Sequence, residues 1–207
     1  MKLFREACCT SVEAAVTAMN NGADRVELCR NLEVGGVTPS RAMIQEVMGQ
    51  CPGLTVNVLV RPRGGNFVFT DEEVASMLDD IAMCKELGVN AVVIGALRAD
   101  GGIDIDVMRR LISASRPLKV TFHRAFDECS DPMSCLEDII SLGCERLLTS
   151  GHEKDAYQGR FTIGELVKQA AGRIVIMAGC GVRPSNIMAL HEVTSAPEYH
   201  SSTLTGW

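Results

Sequence analysis

Short apolar, β-branched runs alternate with longer segments of helical period along the whole chain, and this alternation limits the fold more than any other feature. The runs are Leu3 to Cys8, Arg25 to Cys29, Thr55 to Val60, Ala91 to Leu97, Lys119 to Phe122, Arg146 to Ser150, Arg173 to Ala178 and Glu198 to Ser202. Each gives way to a polar or Gly-containing loop. Helix signals follow the loops. Thr10-Ser11 caps a helix through Met19, and Pro39 starts one reaching about Gly49. Thr70 with Glu73 three residues on forms a capping box for a helix to Leu87. Asp104 or Asp106 opens the next, and Asp131-Pro132 supplies a cap and a first-turn proline for another. The last two helices are expected over about Ile163 to Ala171 and from a Ser185 cap to Val193.

Strands that alternate with helices pair in parallel through right-handed crossovers. Eight such units, one about every 25 residues, point to an α/β fold of the closed (β/α)8 barrel type rather than an open sheet. An open doubly wound sheet would carry G-x-G-x-x-G after its first strand, and none stands there. The chain thus reads as a single barrel domain over residues 1–207. After the eighth strand only Thr203 to Trp207 remain, so the domain reads as C-terminally short, without its last helix. Strands one and eight are then expected to lack cover on one side.

The formal charge is −6, and no Lys/Arg stripe is present, so neither nucleic acid nor an anionic membrane is an expected partner. No apolar run approaches the ~18–20 residues of a membrane span. The start, Met1 to Glu6, has no signal-peptide pattern, which points to the cytoplasm. The nine cysteines are odd in number and lack C-x-x-C spacing, as expected of reduced, mostly buried thiols.

In a parallel barrel, functional groups gather where strands run out into their following loops. Strands one and two end alike, in Glu6-Ala7-Cys8 and Glu27-Leu28-Cys29. Side chains alternate along a strand, so each Glu shares a face with the Cys two positions on. Arg61, at the end of strand three, has the parity of Asn57 and Leu59. Strand five runs into His123 and Arg124, with Asp127 close by to hold Arg124 or cap a turn. Strand eight holds His200-Ser201-Ser202. Glu6, Glu27 and Arg61 either form an ion network that plugs the barrel or, with His123 and Arg124, a charged floor for acid–base work on a polar substrate. Their place at the mouth favours the second.

Cys8 and Cys29, on neighbouring strands, suit a soft ion such as Cu(I) in a linear site. Spacing alone favours two small core residues instead. Cys9 has the opposite parity and is expected to face a helix. Gly179 and Gly181, with Ser201 on the next strand, mark a candidate anion site of the kind barrels place after their last strands. His152 and His191 read as solvated surface.

Several blocks resemble the CutC family. They are Gly22-Ala23-Asp24-Arg25-Val26-Glu27-Leu28-Cys29, Gly35-Gly36-Val37-Thr38-Pro39-Ser40, Arg61-Pro62-Arg63-Gly64-Gly65, Val120-Thr121-Phe122-His123-Arg124-Ala125-Phe126-Asp127, Leu147-Leu148-Thr149-Ser150-Gly151 and His200-Ser201-Ser202. The resemblance spans residues 6 to 202. It implies a (β/α)8 barrel, a cytoplasmic homo-oligomer (dimer or tetramer), and a role in copper homeostasis with Cu(I) held by cysteine. The matching positions are Cys8 and Cys29. The polar mouth suits equally a small-molecule enzyme acting on an anionic substrate, phosphorylated substrates included. Members of the family usually continue for some dozens of residues beyond His-Ser-Ser, where this chain stops.

Overall fold

Eight parallel strands pair in sequence order, and β1 pairs with β8 to close the barrel. The computed structural model describes residues 3–207. The strands are β1 Phe4–Cys9, β2 Arg25–Leu28, β3 Thr55–Leu59, β4 Ala91–Ile94, β5 Lys119–Phe122, β6 Arg146–Thr149, β7 Val175–Ala178 and β8 Glu198–Ser201. Seven helices alternate with them: α1 Val12–Asn20, α2 Arg41–Gln50, α3 Asp71–Glu86, α4 Ile105–Ser115, α5 Pro132–Ser141, α6 Arg160–Ala170 and α7 Ile187–Thr194. The expected architecture is therefore present.

Most helix starts follow the cap residues. Ser11 accepts from Ala14, Thr70 and Glu73 form a reciprocal capping box, and Asp104 and Asp131 cap α4 and α5. Several boundaries differ from expectation. α2 is capped by the Ser40 side chain, so Pro39 lies just outside the helix rather than within its first turn. α6 starts at Arg160, three residues early, behind a Gly159 that packs against the Ser150 carbonyl. α7 has Asn186 rather than Ser185 at its cap, and the Asn186 side chain accepts from Arg183 N–H instead of from the helix. β4 ends at Ile94, and Leu97 makes a separate bridge to Ile103.

Alternation along the strands divides the interior in two. The larger core lies between the barrel wall and the helices and contains Cys9, Val26, Leu28, Val58, Ile94 and Phe122 among many others. Cys9 thus faces outward from the barrel, as its parity predicts. A smaller cluster of Cys8, Cys29, Leu59 and Val93 lies inside the barrel. The segment after β8 is not loose: Leu204 and Trp207 pack on the core, and the Arg5 guanidinium lies 4.7 Å over the Trp207 ring. Among the described residues, no helix is long and apolar enough to cross a membrane.

Candidate functional site

The lower half of the barrel interior is ionic. Arg25 is almost fully buried and lies between two carboxylates. Its Nε donates to Glu6 Oε2 at 2.5 Å and its Nη2 donates to Glu198. Glu198 also accepts from Arg146 Nε at 2.8 Å, and Glu6 accepts from Asn57 Nδ2 at 3.1 Å. These side chains come from five strands and fill the space that apolar residues fill in many barrels. The second Glu6 oxygen faces His200 Nδ1 at 2.7 Å. A carboxylate only accepts, so His200 Nδ1 carries the proton. Burial alone would push the Glu6 carboxyl up, but His200 and Arg25 together hold it down at about 2. For His200, burial works against the charged ring, and the Glu27 and Glu6 carboxylates outweigh it, raising the value to about 9.

One layer higher stand the two thiols. Cys8 Sγ and Cys29 Sγ are 3.5 Å apart and both are buried. The β1–β2 register sets Cys8 opposite Glu27, which brings the second carboxylate beneath the thiol pair. Glu27 is only 5% exposed, and its Oε2 has no partner among the described residues. Its burial pushes the carboxyl up to about 7, although the nearby His200 and Arg25 cations oppose this. The hydrogen bond to Cys29, burial and Glu27 hold the Cys8 thiol well above its ordinary value. Donor atoms of Cys8, Glu27 and His200 lie within 4.8 Å of one another.

A cavity of about 800 Å³ opens above this floor toward the strand ends. Two glycines at the upper level leave room for side chains that line it, His123 and Leu148. A Cβ on Gly95 would meet the His123 ring at 2.6 Å, and one on Gly179 would meet Leu148 at 2.4 Å. Arg61 and His123 form one wall. The Arg61 guanidinium donates to the carbonyls of Val34, Gly36 and Gly65 and lies 4.5 Å over the Phe67 ring. His123 accepts from Ala125 N–H through Nδ1, so Nε2 bears the hydrogen. Burial, reinforced by Arg61, lowers the His123 pKa to about 3, so the ring is neutral. Opposite, Asp127 accepts from Thr149 Oγ1, Ser150 Oγ and the Ser150 and His152 amides, and pairs with Arg124 Nε at 2.8 Å.

The matched sequence pattern can now be read with this geometry. Residues 3–205 match the CutC family, nearly the entire chain. The chain belongs to the CutC family. A CutC family protein of Parabacteroides distasonis is 52% identical over 202 residues, covering 98% of this chain and 83% of that relative. A solved Streptococcus agalactiae structure, described as a copper homeostasis protein CutC, superposes with a TM-score of 0.94 at 34% identity. That match covers 99% of this chain and 100% of the other. The likeness to an aldolase, QR15, is one of fold alone, with a TM-score of 0.73 at 13% identity over 97% of this chain and 89% of the other.

Within this CutC-family barrel, Cys8, Glu27, Cys29, Arg61, His123, Arg124, Gly181 and Ser201 all line the one cavity. Glu6 lies below it in the ionic layer. Gly179 serves as a space-maker against Leu148. The Ser201 hydroxyl is committed to Val182 O at 2.6 Å and to Thr203 N–H at 3.0 Å. A Glu6–Glu27–Arg61 ion network, the less favoured of the two readings of these residues, does not form among the described residues. Arg61 turns to loop carbonyls, and the cation between carboxylates is Arg25. His191 is not solvated surface: it is half-buried and its Nδ1 is 3.0 Å from Tyr199 Oη. His152 is also half-buried, with Nε2 3.6 Å from Cys129 Sγ, and it lines the cavity. Sequence reasoning passed over Arg25, Glu198 and the role of His200. The parity of Arg25 with Glu27 and Cys29 was the available signal for the first.

Proposed function

We propose that this chain is a copper homeostasis protein that takes Cu(I) as cargo on the Cys8 and Cys29 thiolates. The observation that carries this reading is the 3.5 Å gap between two buried sulfurs at the foot of an open cavity. Thiolate is the donor that selects Cu(I). The expected linear site does not suit this gap. With metal–sulfur bonds of about 2.3 Å, sulfurs 3.5 Å apart subtend only about 100° at the ion. A bent pair leaves room for a third donor on the Cys8 side, where donor atoms of His200 and Glu27 lie within 4.8 Å of Cys8 while Cys29 stands outside that group, and we assign the place to His200. The Nδ1 of His200 is anchored on Glu6, and its other nitrogen becomes a ligand once the charged ring gives up its proton there, the arrangement by which a carboxylate orients a ligating imidazole. Glu27 stands as the competing oxygen donor, disfavoured by hardness. The Streptococcus relative's description supports the cargo, and the reduced thiols fit a cytoplasmic setting.

The test is a titration of the reduced protein with Cu(I) against a competing chelator, in the wild type and in the Cys8→Ser/Cys29→Ser variant. Loss of the tight site in the double variant is expected. Equal affinity in both proteins would overturn the assignment.

A further inference from the structure

A second feature of the cavity has nothing to do with the thiols. Arg61 is 4% exposed, and all its hydrogen bonds go to neutral carbonyls. Among the described residues it forms no ion pair, and its Nε has no acceptor. His123 is equally buried, and its Nε2–H has no acceptor either. Buried donors without partners are costly and rare in a folded chain. Here two occur on one wall of one cavity. They are also fixed relative to each other. The Phe67 ring lies under the Arg61 guanidinium at 4.5 Å and against the His123 ring at 4.9 Å. Gly35, at φ +85°, leaves the Arg61 head its room, since a Cβ there would stand 3.0 Å from Nη1.

We propose that this wall is the anchor of a small organic oxyanion, held by the Arg61 charge and the His123 Nε2–H. Both groups only donate, and one is permanently cationic, so the complementary group is an acceptor-rich acid, a carboxylate or a phosphate ester. The cavity, at about 800 Å³, is within the range of small-molecule sites. Its lining sets two further requirements. Glu33 and Glu128 also border it, which disfavours an extended polyanion and selects a compact acid group. Glu27 offers an unpartnered Oε2 at the floor, so the far end of the ligand carries a hydroxyl or amino donor. A hydroxy acid or a polyol phosphate has this pattern. The anchor differs from the Gly179, Gly181 and Ser201 anion site that the sequence suggested: it lies just past the ends of β3 and β5.

The experiment uses the full chain, reduced and metal-free, so a failed copper titration leaves its result untouched. Calorimetric titrations are run with inorganic phosphate, glycerol 3-phosphate and malate, with glycerol as the uncharged control. At least one anion should bind at millimolar concentration or tighter, and glycerol should not. Which anion binds tells phosphate from carboxylate. His123→Asn keeps an acceptor for the Ala125 amide but withdraws the Nε2–H, and should weaken binding about tenfold. Arg61→Lys keeps the charge without the rigid fork and should also weaken it. No binding by any of the anions, binding of glycerol as strong as theirs, or wild-type affinity in both variants would overturn the proposal.

Discussion

Replacing Glu27 with Gln isolates the cost of a buried carboxylate that lacks a partner. In the folded chain burial pushes this carboxyl up from the ordinary 4.5 to about 7, with His200 and Arg25 already pulling it down. A carboxyl raised on folding favours the native state in its neutral form. That advantage is complete below 4.5 and is lost as pH rises through about 7. At about 1.4 kcal/mol per pH unit, the full interval amounts to about 3 kcal/mol, of which about 2.5 kcal/mol falls between pH 5 and pH 8. The Gln side chain does not titrate, so this contribution is absent from the variant, and the pH dependence of the other groups is common to both proteins. Any fixed cost of burying the amide cancels when the two pH values are compared. Relative to wild type, the variant should therefore gain about 2.5 kcal/mol from pH 5 to pH 8, or about 5–10 °C in Tm for a chain of this size. Thermal unfolding of both proteins at the two pH values, followed by circular dichroism, measures it. A Tm difference that does not change with pH would show that the carboxylate is solvated or paired, and the reasoning would fail.

Two further outcomes follow from the same interior. Arg25→Met should cost about 3–5 kcal/mol in denaturant unfolding at pH 7, because it leaves Glu6 and Glu198 facing each other without their shared cation; a loss below 1 kcal/mol, on the order of an exposed pair, would refute the role given to Arg25. Cu(I) affinity should rise with pH by about tenfold per unit for each proton released, since the Cys8 thiol is held well above its ordinary value and enters neutral solution protonated. A flat profile of chelator competition between pH 6 and 8 would contradict thiolate binding at Cys8.

The barrel was legible because its signals are local. The apolar runs, caps and closing glycines each act within a few residues, and eight repeats leave little choice of topology. Parity was legible for the same reason. It set Glu6 with Cys8, Glu27 with Cys29, and Cys9 on the other face, and β1 and β2 then brought the two sulfurs together. Boundaries that depend on contacts between loops were less so: the early start of α6 goes with the close packing of Gly159 on Ser150, residues far from its helical period.

Sequence alone thus determined the fold class and the inward faces, and it set Cys8 and Cys29 on neighbouring strands. It could not determine which charges meet inside. Arg25 and Arg61 both point inward by parity, and nothing local says which of them reaches Glu6. That depends on the height at which each residue enters the barrel, set by the stagger of eight strands when the sheet closes. Closure also delivers His200 to Glu6 across 194 residues of chain and leaves Arg61 and His123 with donors unspent above them. The tertiary structure decided these pairings, because a strand fixes only the direction of a side chain, whereas the closed barrel fixes its neighbours.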